Sequence, residues 1–121
     1  VHAKLVADRF TFLALGEVAV APKLSATEGC GKILNYMAMG LPVVSFDTPV
    51  SREYLGGLGI YARPGDPDSL AQALLFALDG DHRARATQLR EIATRCYSWD
   101  RAADAILQAY SVVCHRPATV L

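Results

Sequence analysis

Residues 17–46 read as strand, glycine-bearing loop, helix and strand, an order that restricts the chain to a βαβ unit within a parallel sheet. Glu17-Val18-Ala19-Val20-Ala21-Pro22 has the β-branched, apolar character of a parallel strand covered on both faces. After the loop Ser25-Ala26-Thr27-Glu28-Gly29-Cys30-Gly31-Lys32, apolar residues fall at Ile33, Leu34, Met37 and Ala38, which is helical rather than alternating spacing. Gly40 stops that helix. Pro42-Val43-Val44-Ser45-Phe46 then reads as a second buried strand, with Pro42 tolerated at its first position. Two parallel strands joined in this way cross over right-handedly almost without exception.

The flanking sequence extends the alternation. Leu5, Val6, Phe10, Phe12, Leu13 and Leu15 suit a helix over residues 1–15, closed by Gly16. That stretch opens without a cap, so a longer parent chain is expected, with further strands before Val1 to cover the sheet edge. Beyond Phe46 the sequence predicts a short helix over 50–55, a third strand over 59–62 and a turn at Arg63-Pro64-Gly65-Asp66-Pro67. Asp66 or Asp68 is placed to cap a helix over 69–78. A helix over 81–96 follows, and Ser98 caps a last one over 99–113, ahead of a frayed tail from His115. The expected fold is an α/β, Rossmann-like parallel sheet flanked by helices, with extra helices at the C-terminal end.

At 121 residues the chain makes one domain at most, and 52% hydrophobic composition supports a buried sheet over disorder. Twelve basic residues balance twelve acidic ones, which argues against nucleic acid or an anionic membrane surface as a partner. Cys30, Cys96 and Cys114 are far apart and odd in number, and neither they nor His2, His82 and His115 have metal-ligand spacing. No metal and no cofactor are expected, and a reducing, cytoplasmic setting is the expectation. No apolar run reaches the roughly 18 residues a membrane span needs.

Chemistry concentrates in the loop after the first strand. In a doubly wound sheet, ligands sit outside the carboxyl ends of the strands. Three loops reach that edge, at 23–31, 47–52 and 62–66. In the first, the N–H groups of Gly29, Cys30 and Gly31 and the positive end of the helix dipole offer a site for a phosphate or a hydroxyl. Glu28 adds a carboxylate that can accept from a polyol, so the loop suits a sugar joined to a nucleoside diphosphate. The plainer reading is that Glu28 caps the helix and the glycines turn the chain. Asn35 is either a ligand contact or a helix-to-loop hydrogen bond, and periodicity favours the second. Tyr36 fits the core, and Lys23 and Lys32 fit a solvated surface as well as a phosphate. Asp47 with Arg52 and Glu53 could form a polar cluster, with an Arg–Glu pair as the simpler arrangement. Cys30 lies near a helix N-terminus but has no histidine nearby to make it a nucleophile.

Pro22-Lys23-Leu24-Ser25-Ala26-Thr27-Glu28-Gly29-Cys30-Gly31, followed by Asn35-Tyr36-Met37-Ala38-Met39-Gly40-Leu41-Pro42-Val43-Val44, resembles the donor-site signature of GT-B glycosyltransferases. The nearest likeness is to the retaining, nucleotide-sugar-dependent group called family 4 or glycosyltransferase group 1. Asp47 and Glu53, Gly59-Ile60-Tyr61 with Pro64-Gly65-Asp66, and Ser98-Trp99-Asp100 match in the same order. The resemblance implies that residues 1–121 form a single partial nucleotide-sugar-binding domain, the C-terminal half of a GT-B architecture. It implies Glu28 as the catalytic-site carboxylate on the donor sugar, with Gly29, Cys30, Gly31 and Lys32 binding the donor. A second family glutamate binds the ribose. The segment here is a residue shorter, and Asn35 holds that place, still able to donate to and accept from a hydroxyl.

The resemblance further implies transfer of a sugar from a nucleoside-diphosphate sugar, such as a UDP- or GDP-hexose, to an acceptor hydroxyl with retention. The acceptor site and the basic residues that hold the diphosphate would lie in a preceding Rossmann domain and the strands before Val1. That missing domain could attach the protein peripherally to the inner membrane face. On this reading the isolated chain is inactive. The rival expectations are a sugar-nucleotide epimerase of the same fold, for which no histidine stands in a candidate loop, and a non-catalytic nucleotide-binding module.

Overall fold

The computed structural model describes residues 11–114. Most of the helix expected over 1–15 and the tail from His115 therefore lie outside the described residues. Residues 11–14 are helical and close at Gly16, whose N–H donates to Leu13 O at 3.1 Å. Three strands follow, β1 (Ala19–Ala21), β2 (Val43–Phe46) and β3 (Ile60–Ala62), paired in parallel in the order β1-β2-β3. Ala19 is in register with Val43, and Val44 with Ile60. The helices are α1 (Gly31–Ala38), α2 (Pro49–Leu55), α3 (Pro67–Asp79), α4 (Arg83–Cys96) and α5 (Trp99–Cys114), with a 3-10 turn at Gly56–Leu58.

The central strand explains the apolar run read from the sequence. All four residues of β2 are buried, since helices cover both faces of the sheet. On one face Val43 joins Ala19 and Ala21 against Ile33 and Met37 of α1, Leu55 of α2 and Leu89 of α4. On the other, Val44 and Phe46 pack with Ile60 and Ala62 against Ala73 and Ala77 of α3. Tyr36 packs partly buried against the first cluster, as its aromatic character leads one to expect. The described chain is thus a Rossmann-like α/β layer with additional C-terminal helices.

Helix ends follow their chemistry. Gly40 takes φ +69°, and α1 closes as a Schellman motif, with Leu41 N–H on Tyr36 O at 3.1 Å and Gly40 N–H on Met37 O at 3.0 Å. Leu41 then drops into the same apolar cluster as Met37. Helix α3 starts two residues before the expected Ser69, because Asp66 Oδ1 accepts from Ser69 N at 2.9 Å and Pro67 is suited to a first turn. Helix α4 starts at Arg83, later than expected, because Asp81 Oδ1 takes Arg83 N–H at 3.1 Å in a turn ahead of the helix. Ser98 caps α5 as expected, accepting from Arg101 N at 3.3 Å. Helix α5 buries none of its side chains, and Trp99 is 90% exposed.

Candidate functional site

Parallel strands bring all their carboxyl ends to one edge, where the turns after β1, β2 and β3 emerge together. The turn after β1 is the most elaborate. Lys23 N–H donates to Ala21 O at 2.9 Å, bending the chain off the strand. Ser25 Oγ accepts from Glu28 N at 3.1 Å and Thr27 N at 3.4 Å. Cys30 is the N-cap of α1 with its side chain buried, and no side chain caps that helix.

Glu28 consequently does not cap α1, contrary to the plainer sequence reading. Its carboxylate turns to Lys23, whose Nζ lies 3.0 Å from Glu28 Oε2 and 3.2 Å from Gly29 O. Lys23 is thereby corrected from a solvated surface lysine to a brace across the loop. Among the described residues nothing accepts from the N–H of Gly29 or Cys30, and the first amides of α1 have no partner within the helix. These amides border a cleft of about 540 Å³ lined by Val20, Ala21, Lys23, Gly29, Cys30, Gly31 and Lys32 together with Pro22. Glu28 is not among the lining residues and reaches the cleft through Lys23. Lys32 and Asn35 are both exposed on α1, Lys32 on the cleft wall and Asn35 beyond it. Among the described residues Asn35 makes no side-chain hydrogen bond, so the helix-to-loop bond favoured from its periodicity is not formed.

A buried chain of hydroxyls fixes the root of this loop. Ser45 Oγ donates to Ala21 O at 3.0 Å, so its hydrogen is used and Ser51 Oγ donates to it at 2.7 Å. Thr48 Oγ1 in turn donates to Ser51 Oγ at 3.0 Å and, as N-cap of α2, accepts from Ser51 N at 3.2 Å. Every hydrogen in the chain points from the N-terminus of α2 toward the end of β1. All three hydroxyl residues are buried, and no buried side-chain polar atom among the described residues lacks a partner. Thr48→Ala removes both a cap and a link, and is expected to lower unfolding free energy by about 1–2 kcal/mol in denaturant melts.

Beside it, Arg52 grips Asp47 with Nε on Oδ1 at 2.6 Å and Nη2 on Oδ2 at 2.8 Å. Arg52 therefore pairs with Asp47 and not with Glu53, which corrects the expected Arg–Glu pair. The guanidinium also lies 3.8 Å above the Tyr61 ring, whose hydroxyl donates to Gly56 O at 2.6 Å. The side-chain hydrogen bond from Arg52, aided by its charge, holds the Asp47 carboxyl below the ordinary aspartate range, while burial pushes the Tyr61 phenol up. A folded carboxyl that resists protonation stabilises the fold above the ordinary aspartate pKa, and that contribution is lost as pH falls through the lowered folded value. Melting temperature is thus expected to fall in that acidic window, and by less in Asp47→Asn. Equal acid sensitivity in both proteins would count against the pair.

A second hollow, of about 600 Å³, lies at the opposite, amino edge of the sheet beside Glu17, Pro42, Asp79 and Asp81. The negative C-terminal end of α3 and these carboxylates disfavour an anion there, and the N-terminal end of α4, which also borders the hollow, already has its Arg83 N–H taken by Asp81 Oδ1 at 3.1 Å. Its one arginine, Arg83, is engaged by Asp81 at 3.2 Å. Chemistry therefore favours the smaller cleft. Sequence reasoning missed the Lys23–Glu28 brace, the hydroxyl chain and Tyr54, whose hydroxyl stands 3.2 Å from where a Cβ on Gly29 would lie. A lone serine inside the apolar β2 and the Thr48-x-x-Ser51 spacing were the available signals for the hydroxyl chain.

The described residues thus form a Rossmann-like α/β layer with a glycine-bearing, acid-tipped loop at its carboxyl edge. Residues 2–80 match the family described as Glycosyl transferases group 1, and the chain belongs to that family. It is also 30% identical over 88 residues to the O-antigen chain mannosyltransferase B of Escherichia coli. That match covers 71% of this chain and spans 23% of the relative's length. Among the described residues no helix is long and apolar enough to cross a membrane.

Proposed function

We propose that this chain is the donor-binding part of a glycosyltransferase that moves a hexosyl group from a nucleoside-diphosphate sugar to an acceptor hydroxyl, with retention. The observation that carries the reading is the loop between β1 and α1. Unpaired amides at Gly29 and Cys30, the N-terminal end of α1 and the Glu28 carboxylate stand together there at the carboxyl edge. In this role the amides of Gly29, Cys30 and Gly31, with Lys32, face the donor's electron-rich oxygens. As the glycosidic bond breaks, negative charge grows on the leaving diphosphate, and fixed donors aimed at it lower that barrier. Glu28 orients the sugar by accepting from its hydroxyls, and Asn35 is the candidate ribose contact. Because the chain spans 23% of its mannosyltransferase relative, the acceptor site and the remaining diphosphate contacts are assigned to a preceding domain of a longer protein.

Transfer assays on the complete protein with UDP- and GDP-hexoses, a mannosyl donor first, test this reading. Product is expected from the complete protein and none from residues 1–121 alone. Transfer by the short chain would overturn the assignment of half a site. Nucleotide binding without transfer by the complete protein would make the domain a binding module.

A further inference from the structure

The Lys23–Glu28 brace occupies the two groups that a phosphorylated sugar would need separately. Lys23 is anchored at its backbone, where its N–H meets Ala21 O at 2.9 Å, and Ala21 O is held in turn by the buried Ser45 hydroxyl at 3.0 Å. Its head group is not anchored in this way. It spans to Glu28 Oε2 at 3.0 Å and Gly29 O at 3.2 Å, beside the cleft its side chain helps to line. The lysine side chain is 36% exposed and the glutamate's 74%, so water competes for both ends and the pair holds weakly. An anionic oxygen in the cleft offers Lys23 a stronger charge-assisted bond. Taking it uncovers Glu28 for a neutral hydroxyl donor.

We propose that Lys23 is a ligand-operated latch, bound to Glu28 in the empty site and exchanged onto a phosphate oxygen of the incoming ligand, which releases the Glu28 carboxylate to bind hydroxyls. The exchange rests on the donor-site reading above and adds an order to it: phosphate capture comes first and sugar recognition second. No bond is made or broken, and Lys23 acts as a positioning residue through Glu28.

The latch is tested on the chain itself with inorganic pyrophosphate, followed by amide shifts in nuclear magnetic resonance at about 0.15 M salt, where long-range charge effects are screened. Lys23→Met is expected to weaken pyrophosphate binding about tenfold, the loss of one charge-assisted hydrogen bond. Glu28→Gln is expected to tighten it about threefold by removing the competitor. In the Lys23→Met background the Glu28→Gln change should have no further effect. The Glu28 carboxyl carbon should shift on adding pyrophosphate to the unaltered chain and stay fixed in Lys23→Met. Equal tightening by Glu28→Gln in both backgrounds would reduce the effect to simple repulsion and overturn the latch while leaving the anion site standing. Absence of pyrophosphate binding to the unaltered chain would overturn the latch, whereas the donor-site reading stands or falls separately on sugar transfer by the complete protein. Both substitutions are at partly or largely exposed side chains, and matching thermal melts would confirm that the fold is retained.

Discussion

Glu28→Ala in the complete protein is expected to cut sugar transfer by about a hundredfold or more, while donor analogues lacking the sugar bind about threefold more tightly because Lys23 is freed for their phosphate. On the proposed donor-site role, orientation of the reacting carbon is the contribution removed, because a carboxylate that accepts from sugar hydroxyls restrains the ring relative to the leaving group. Glu28→Gln should lie between, since an amide oxygen still accepts but carries no charge. Effects on fold are expected to be small. Glu28 is exposed, caps nothing, and its partner Lys23 keeps the Gly29 carbonyl at 3.2 Å. Initial rates with the nucleotide-sugar donor measure this directly, and turnover equal to the unaltered protein would remove Glu28 from the site.

Met37→Ala is expected to be the most damaging substitution for the fold, at about 2–5 kcal/mol. Met37 is wholly buried, among Ile33, Val43, Leu55 and Leu89, at the point where α1, α2 and α4 meet the sheet. A void there cannot collapse easily, since β2 beneath it is covered on both faces. Small domains commonly have only about 5–15 kcal/mol of net stability, so this one change removes a large share. Because Met37 anchors α1, the hydrogen-bonded amides of Ile33, Met39, Gly40 and Leu41 should also exchange faster in this variant. Chemical denaturation with hydrogen exchange tests both halves. A loss under about 1 kcal/mol would show that this junction packs more loosely than its burial indicates.

Elements governed by burial were legible in the sequence, and those governed by specific pairing were not. Strands expected over 17–22, 42–46 and 59–62 fall at Ala19–Ala21, Val43–Phe46 and Ile60–Ala62, since a run such as Val43-Val44 has only one good environment, between two helix layers. Helix starts were less legible. Asp66 and Asp68 both suit a cap by type, and only the bond to Ser69 N distinguishes them. The candidate site divides in the same way. Glycines and an acid between a strand and a helix mark a carboxyl-edge loop, and Gly29, Cys30 and Gly31 do lie there. Which residue Glu28 faces is another matter. Lys23 is five residues away across an irregular turn, and no periodicity relates the two. Arg52 likewise had an acid beside it at Glu53 and another behind it at Asp47, and helix geometry turns it toward the second. Ser45 was hidden by its neighbours, since one hydroxyl in an apolar strand does not announce its partners.

Titration of the chain with a UDP- or GDP-hexose, read residue by residue from amide shifts, tests the central claim most directly. The loop at the carboxyl edge is predicted to respond, with the largest changes at Gly29, Cys30 and Gly31 and smaller ones at Lys23 and Lys32. Shifts confined to the amino-edge hollow, at Gly16, Gly40, Gly80 and His82, would contradict it.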